Sequence, residues 1–270
     1  MIALPYANND GVNIFYKIVG RGEPLLLMHG LAGTHLDWIK YGYVDAIKDK
    51  YQLILIDARG RGKSDKPYTP EKHSLRNYVK DITAVLDKLG LDKTNYWGYS
   101  FGGMVGLAAG VYAPERFSSL IIGGYGMYEK DSPEYSEDIK AYIREYEARI
   151  PIYGKSVEEV TAYIKKTRGD NIDDYAVERW MNADPRALIA FCINYENIGM
   201  AEILPTISTP CLLYAGDLDA VPHKYSKLCD TVMQNSRFVS LSGLNHPEAF
   251  SRIDLVLPHV ITFLESIANR

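Results

Sequence analysis

A serine flanked by two glycines stands between a strand-like run and a helix-like run. Residues 98–102 read Gly-Tyr-Ser-Phe-Gly. The preceding residues 94–97 form a β-branched and aromatic run that suits a strand, and residues 103–110 are small and apolar, as in a buried helix. Residues that lack a Cβ let a strand and a helix approach closely enough for a sharp turn between them. The pattern therefore predicts a strand, a tight turn and a helix, with the Ser100 hydroxyl standing clear at the tip of the turn.

Short apolar runs recur along the chain and are separated by helical patterns. Such runs are typical of strands buried on both faces of a parallel sheet. The predicted strands include residues 25–28, 53–56, 120–122, 211–215 and 237–241. Residues 74–89 have the apolar spacing of one helix face, with Ser74 suited to cap the start and Gly90 to end the helix. Strands alternating with helices predict an α/β fold with a mostly parallel, doubly wound sheet.

The sequence changes character between residues 125 and 205, where strand-like runs disappear and helical patterns follow one another. The predicted helices span residues 134–149, 156–166, 174–182 and 185–198. Because these segments have regular apolar positions, they predict a folded helical insertion rather than a linker. We therefore expect a core domain made of residues 1–124 and 206–270, interrupted by a helical unit at residues 125–205.

Composition excludes several classes of protein. The chain has 270 residues, of which 47% are hydrophobic and 24% charged, which suits one α/β domain with an insertion. A net charge of −4 without a basic stripe argues against a nucleic-acid partner. The absence of a long apolar run or a basic N-terminal segment predicts no membrane partner, no signal peptide and a cytoplasmic location. The widely spaced Cys192, Cys211 and Cys229 suggest core thiols in a reducing compartment, and we expect neither a metal site nor a cofactor.

Two loops that follow predicted strands invite functional interpretations that their spacing does not support. Residues 57–64 are glycine-rich and contain Lys63 and Ser64, but they lack the spacing of a phosphate-binding loop. A packed loop held by Asp57 and Arg59 is the better prediction. His29 follows the strand at residues 25–28, and we expect it to hold its loop by hydrogen bonds rather than to act in chemistry.

Candidate reactive residues follow several predicted strands. A neutral serine hydroxyl needs a base to become a nucleophile, and histidine held by a carboxylate is the usual one. Ser100, Asp219 and His246 lie in loops at the carboxyl ends of strands, where parallel sheets commonly place their sites. Asp217 is an alternative to Asp219. His259 is an alternative to His246, although it falls within a helical pattern at the end of the chain.

These motifs together resemble those of the α/β-hydrolase superfamily, in its lidded, esterase- and lipase-like branch. The matching segments are residues 29–33, 57–64, 98–103, 216–219 and 245–246. The resemblance implies an α/β-hydrolase fold in which Ser100 is the nucleophile, Asp219 the acid and His246 the base. It also implies an oxyanion hole formed by the backbone N–H groups of Leu31 and Phe101, and a cap made by residues 125–205.

One position departs from the family pattern, and one related chemistry does not fit. Many relatives have glycine before the catalytic histidine, whereas this chain has Asn245. Dehalogenase-like members need aspartate as the nucleophile, and position 100 is serine.

The resemblance implies a serine hydrolase that works through an acyl-enzyme intermediate, but it does not specify the substrate. Since no Arg or Lys is clearly aimed at the site, we expect the substrate to be a small, uncharged carboxylic ester or lactone. Two alternatives stay open, a receptor of the same fold with slow or no turnover and a hydrolase of C–C bonds in diketones. The expected partner is thus a small molecule, whereas substrate identity and oligomeric state are not predicted. We expect the pocket walls to include aromatic and apolar side chains of the insertion and of the loop after His29, namely Trp38, Met127, Tyr128, Phe191 and Tyr195.

Overall fold

The computed structural model describes residues 5–127, 133–170, 174–195 and 203–269. The strands in these residues are β1 (Tyr6–Asn9), β2 (Val12–Val19), β3 (Glu23–Met28), β4 (Tyr51–Ile56), β5 (Thr94–Tyr99), β6 (Phe117–Gly123), β7 (Cys211–Gly216) and β8 (Ser236–Leu241). They form one sheet in the order β1-β2-β4-β3-β5-β6-β7-β8. The pairings of β2 with β1 and with β4 are antiparallel, and the other pairings are parallel. The predicted α/β class with a mostly parallel sheet is confirmed.

Helices connect most of the strands. Those of the described residues are α1 (Leu36–Lys40), α2 (Tyr43–Ile47), α3 (Leu75–Leu89), α4 (Phe101–Tyr112), α5 (Pro133–Arg149), α6 (Val157–Arg168), α7 (Asp174–Asn182), α8 (Pro185–Ile193), α9 (Ala220–Val232), α10 (Glu248–Ser251) and α11 (Ile253–Ala268). Short 3₁₀ turns lie at Pro70–His73, Pro114–Arg116, Ile150–Ile152 and Leu204–Thr206. Within these residues, no helix combines the length and the apolar character needed to cross a lipid bilayer.

The strand side chains alternate between the two faces of the sheet, and each face has its own apolar core. Leu26 and Ile54 belong to the core that lies beneath α3, α4 and α9, hereafter the main core. Leu25 and Leu53 belong to the core on the opposite face of the sheet, which lies beneath α1, α2 and α11. Since neighbouring residues of a strand point to opposite faces, a run of consecutive apolar residues is what a sheet with helices on both sides requires.

The helix α3 forms as its sequence predicts. The Ser74 hydroxyl accepts a hydrogen bond from the Asn77 N–H at 3.3 Å, and Gly90 ends the helix with φ at 68°. The segment between residues 37 and 50 forms two short helices, α1 and α2, because Gly42 adopts φ at 82°. Such a conformation breaks the helix and is easily adopted only by glycine.

The helices α5 to α8, hereafter the inserted helices, lie between β6 and β7 and divide into two pairs. Side chains of α5 and α8 such as Tyr146, Leu188 and Phe191 belong to the main core beside α3 and α4. The helices α6 and α7 instead share a small separate cluster of apolar side chains, Val160, Ile164 and Val177. The last predicted helix of this region, residues 185–198, is described as a helix only as far as Ile193, and residues 196–202 lie outside the described residues.

Polar contacts join the inserted helices to the loops of the sheet. The buried Asp37 of α1 accepts a hydrogen bond from the Tyr175 hydroxyl of α7, and its carboxylate lies 3.3 Å from the Arg179 Nε. The Tyr68 hydroxyl donates to the Asp184 carboxylate, just before α8, at 2.8 Å. These contacts place the inserted helices against the loops at the carboxyl ends of the strands.

The three cysteines are buried and free. Cys211 lies in β7 and Cys229 in α9, and both belong to the main core together with Cys192. The interpretation of these thiols as small core side chains is therefore confirmed.

Candidate active site

Ser100 lies between β5 and α4 on a backbone that an L-residue rarely adopts. Its φ is 55° and its ψ is −113°, and its N–H donates to the Gly123 carbonyl at 2.7 Å. A Cβ at Gly98 would overlap the Gly102 carbonyl, and a Cβ at Gly102 would overlap the Met28 carbonyl. Such a conformation costs about 1–3 kcal/mol and persists only where the surrounding packing holds it. The two glycines of the pentapeptide are thus required by the close approach of β3, β5 and α4.

Ser100, His246 and Asp219 form a continuous chain of hydrogen bonds. The Ser100 Oγ lies 3.0 Å from the His246 Nε2, and the His246 Nδ1 lies 2.5 Å from an Asp219 carboxylate oxygen. An ionised carboxylate only accepts hydrogen bonds, so Nδ1 carries the hydrogen in this network and Nε2 is left to accept the serine proton. The His246 side chain is 38% exposed, which leaves the ring within reach of water. The arrangement is chemically suited to activating the serine hydroxyl as a nucleophile.

The loop that carries His246 is held from two sides. The Tyr99 hydroxyl donates to the His246 carbonyl at 2.5 Å, and its ring packs on the imidazole with centroids 5.2 Å apart. Burial raises the pKa of Tyr99 well above its usual range, so this hydroxyl stays protonated and donates. Residue Tyr99 lies inside the pentapeptide, but its contact with a loop almost 150 positions later is not visible in the sequence.

On the other side of His246, Asn245 and Glu248 form a reciprocal pair. The Asn245 N–H donates to the Glu248 carboxylate at 3.0 Å, and the Glu248 N–H donates to the Asn245 side-chain oxygen at 3.0 Å. These reciprocal bonds close the turn that leads into α10. Asn245 has no left-handed φ, which outside glycine only Asp10 and Ser100 adopt among the described residues. The asparagine side chain thus makes a hydrogen bond in this turn that a glycine could not make.

The two alternative residues have other contacts. The Asp217 carboxylate accepts a hydrogen bond from the Gly243 N–H at 2.7 Å, and so it braces the turn after β8. His259 is an exposed side chain on α11. The geometry therefore places Asp219 and His246, and neither alternative, next to Ser100.

Leu31 and Phe101 border the same cavity as Ser100. Phe101 is the first residue of α4, where backbone N–H groups have no acceptor within the helix and the helix dipole is positive. Leu31 lies in the loop after β3, and its carbonyl accepts a hydrogen bond from the buried Arg61 Nε at 3.0 Å. Both residues are thus located where backbone donors for a developing negative charge are expected.

The cavity at Ser100 has a volume of about 410 Å³, and most of its wall is apolar or aromatic. It is lined by Leu31, Ser100, Phe101, Met104, Gly124, Tyr125, Ile139, Tyr142, Phe191, Tyr195, Asp219, Ala220, Val221, Pro222 and His246. Among these described lining residues, Asp219 and His246 are the only carboxylate and the only imidazole, and there is no lysine or arginine. The wall therefore suits an uncharged ligand of small or medium size.

The structure brings Phe191 and Tyr195 to the cavity wall but not every aromatic residue that the sequence suggests. The prediction that Trp38 lines the pocket is wrong, because its fully buried ring packs against Trp97 and Phe250 on the sheet face that α1 covers. The prediction for Met127 is also wrong. This residue is buried in the core, where its N–H lies 3.3 Å from the Cys229 Sγ.

The remaining predicted wall residue, Tyr128, lies outside the described residues. The wall residues that sequence reasoning missed include Ile139 and Tyr142 of α5 and Val221 of α9. The spacing of Ile139 and Tyr142 marks one helix face in the sequence, but it does not reveal that this face borders a cavity rather than the core.

The loop of His29 and the glycine-rich loop at residues 57–64 have structural roles, as expected. His29 Nδ1 donates to the Gly30 carbonyl at 2.7 Å and Nε2 accepts from the Ala58 N–H at 3.1 Å, and burial lowers the pKa of His29 so that the ring is neutral. Arg59 forms a two-point ion pair with Asp81, at 2.6 and 2.5 Å. The described residues contain no group of three or more potential metal ligands.

Comparisons with known proteins agree with this fold. The sequence profile of the α/β hydrolase fold family matches residues 23–143. A putative carbamate hydrolase from Azorhizobium caulinodans is 33% identical over 44% of this chain and 43% of its own length, so that match spans less than half of either protein. The 3-oxoadipate enol-lactonase 1 of Acinetobacter baylyi is 25% identical over 79% of each chain. The solved structure of a thermophilic esterase from Thermogutta terrifontis is similar to this fold, with a TM-score of 0.77 and 21% sequence identity. The superposition covers 98% of this chain and 97% of that one.

The match of the family profile is consistent with the strand order and with the sharp turn at Ser100 between β5 and α4. It is also consistent with the structural likeness to the esterase over nearly the whole length. The chain belongs to the α/β-hydrolase superfamily.

Proposed function

We propose that this protein is a serine hydrolase that cleaves small, uncharged carboxylic esters or lactones through an acyl-enzyme intermediate. The observation that carries the proposal is the hydrogen-bonded chain from Ser100 through His246 to Asp219 at one end of a mostly apolar cavity. The relatives named as an enol-lactonase and a carbamate hydrolase support acyl chemistry on a small molecule.

In the proposed first step, the Ser100 Oγ attacks the carbonyl carbon while His246 Nε2 takes the hydroxyl proton. Asp219 stabilises the imidazolium that forms. The carbonyl oxygen becomes an oxyanion and accepts hydrogen bonds from the N–H groups of Leu31 and Phe101. Collapse of the tetrahedral intermediate breaks the bond to the leaving alkoxide, and His246 returns the proton to that oxygen.

In the second step, water replaces the alcohol. His246 takes a proton from the water as its oxygen attacks the acyl carbon, and the proton then passes to Ser100 Oγ as the acid leaves. With a lactone, the alkoxide released in the first step stays attached to the acyl group, so one hydroxy acid leaves at the end. The exposed part of the His246 ring gives water a route to this position.

The wall of the cavity supports the choice of an uncharged substrate. Beyond Asp219 and His246, the described lining residues are apolar, aromatic or glycine, apart from Ser100 itself. A substrate carboxylate would lose its hydration there without a cation to replace it. Ile139, Tyr142 and Phe191 belong to the inserted helices, and we propose that residues 125–205 act as the cap that encloses the acyl chain.

The test is a hydrolysis screen of p-nitrophenyl esters and simple lactones, with Ser100→Ala beside the wild type. We expect multiple turnovers by the wild type, stoichiometric labelling of Ser100 by a fluorophosphonate, and an unchanged rate after treatment with a chelator. The exposed Ser242, substituted by alanine, is the matched control and should leave both activity and labelling intact. A label on another residue would contradict the nucleophile, and a single slow turnover with retained product would favour the receptor instead.

A further inference from the structure

Arg61 is a buried cation for which the described residues provide no counter-ion. Its side chain is 0% exposed, and in the described part of the chain no carboxylate pairs with it and its Nη2 has no hydrogen-bond partner. Arg59, two residues earlier, is equally buried but is neutralised by Asp81. Burying an unpaired charge is costly, so the chain retains Arg61 at some expense in stability.

The contacts of the Arg61 guanidinium converge on the two proposed oxyanion donors. Its Nε donates to the Leu31 carbonyl at 3.0 Å, and its Cζ lies 4.5 Å from the centre of the Phe101 ring. It also lies 5.1 Å from the ring centre of Phe191, which lines the cavity from α8. One side chain thus contacts the loop after β3, the start of α4 and the wall formed by the inserted helices.

The orientation of the guanidinium is determined by a directional network. Its Nη1 donates to the Tyr78 hydroxyl at 2.8 Å, and that hydroxyl lies 2.7 Å from the His73 Nδ1. Because the His73 Nε2 lies 2.8 Å from the Pro67 carbonyl, which only accepts, Nε2 carries the hydrogen and Nδ1 accepts from Tyr78. Burial, aided by the charge of Arg61, lowers the pKa of His73 to about 4, so the histidine stays neutral and Arg61 is the charged member of the network at neutral pH.

We propose that Arg61 is a positioning residue for the oxyanion hole: it holds Leu31 and Phe101 in place, and its uncompensated charge favours negative charge on the reacting carbonyl oxygen. This inference rests on the proposed function. The guanidinium does not line the cavity, so it acts through Leu31 and Phe101 and not by touching the substrate. A missing carboxylate is what such a role requires, because a counter-ion would cancel the field behind the hole.

The test compares Arg61→Gln with Arg61→Lys. We expect Arg61→Gln to lower kcat about tenfold or more while KM changes by less than about threefold, since the lost stabilisation belongs to the transition state. The affinity for a trifluoromethyl ketone, which forms a charged adduct with Ser100, should fall by a similar factor. The affinity of the Ser100→Ala protein for an uncharged ester should not change when Arg61→Gln is added.

Arg61→Lys supplies a signature that a merely structural role would not produce. A buried ammonium loses its proton more readily than a guanidinium. The titratable or charged groups around it in the described residues are His29, Arg59, His73, Tyr78 and Cys192. We therefore expect Arg61→Lys to retain more activity than Arg61→Gln at neutral pH and to lose it at alkaline pH, where the wild type does not. Arg59→Lys is the matched control, which should lower the melting temperature without an alkaline loss of kcat.

Three outcomes would overturn the inference: a wild-type kcat in Arg61→Gln, equal losses of ester and ketone affinity, or an Arg61→Lys profile identical to that of the wild type. If Arg61→Gln does not fold, the Arg61→Lys profile alone decides. Ser100→Ala separates the two proposals. If it is as active as the wild type, the proposed function fails, whereas an inactive Ser100→Ala beside a fully active Arg61→Gln removes only the role of Arg61.

Discussion

The strand-end loops and the outer pair of inserted helices are held by different kinds of contact. The loop of Ser100 is confined by backbone packing on both sides, so that even a Cβ at Gly98 or Gly102 would not fit. The helices α6 and α7 instead have a small apolar cluster of their own, and they meet the loops of the sheet through polar contacts such as the Tyr175 hydroxyl on Asp37. Ser100 therefore lies on a tightly packed backbone, whereas the outer helices α6 and α7 meet the sheet loops through contacts that a single substitution removes.

Ser100→Ala tests the constrained half of this comparison and has the largest expected effect. Without the nucleophile, kcat should fall by about 10⁴-fold or more, with some residual catalysis from the oxyanion hole and substrate binding. Because alanine keeps the same backbone, the melting temperature should change little. Steady-state kinetics and thermal unfolding measure the two quantities, and substantial remaining activity would show that the serine is not the nucleophile.

The second prediction concerns the two carboxylates after β7. Asp219→Asn should lower kcat by about 10²- to 10⁴-fold, because an amide neither stabilises the imidazolium nor fixes the required tautomer. Asp217→Asn alters only a hydrogen bond to the Gly243 N–H and should stay within about threefold of the wild type. If the two variants rank the other way, the assignment of the acid is wrong.

The third prediction concerns pH and the buried network behind the loops. His73 has a pKa of about 4 in the folded protein, against about 6.5 when unfolded, so the unfolded chain binds more protons between these values. The free energy of unfolding should therefore decrease as pH falls from about 6.5 to 4, by about 3 kcal/mol from this residue. Urea unfolding of the wild type and His73→Asn across this range measures it.

The slope should be smaller in His73→Asn than in the wild type. His259→Asn is the matched control, since that side chain is exposed, and its slope should equal that of the wild type. Equal slopes in the wild type and His73→Asn would mean that His73 is not held in its neutral form.

The fourth prediction tests the attachment of the outer helices. Tyr175→Phe removes a hydrogen bond to the buried Asp37 carboxylate and should lower the free energy of unfolding by about 1.5–3 kcal/mol. Limited proteolysis within α6 and α7 should become faster, and kcat should change less than KM. The control is Tyr163→Phe, which removes an exposed hydrogen bond from α6 to the Ala148 carbonyl. A similar loss of unfolding free energy in both variants would contradict a special role for Asp37.

The smallest expected effect concerns the cavity wall. Each methylene buried in an apolar cavity contributes about 0.8 kcal/mol, so kcat/KM should rise about fourfold per added carbon until the cavity is full. Measurements with p-nitrophenyl esters from acetate to decanoate give the profile. Ile139→Ala should move the optimum to longer chains, whereas Val157→Ala on the exposed side of α6 should not. A flat profile would mean that the acyl chain does not enter this cavity.

The fold class, the strand positions and the sharp turn at Ser100 can be predicted from the sequence, because each depends on residues that are close together in the chain. A strand buried on both faces needs consecutive apolar residues, as at β3 and β4, and a helix reveals itself by its period and its caps, as at α3. The convergence of the Ser100 and His246 loops is also predictable, since the carboxyl ends of parallel strands share one edge of the sheet.

Tertiary structure alone decided which side chains face the cavity and which charges are paired. Trp38 has the kind of large aromatic side chain that a pocket wall often contains. It is nevertheless buried in the core, because α1 packs it against one face of the sheet. Arg59 and Arg61 are chemically identical in the sequence, but within the described ranges only Arg59 meets a carboxylate, which α3 supplies. These outcomes depend on contacts between residues distant in the chain, and local periodicity contains no information about the partner that a folded neighbour will provide.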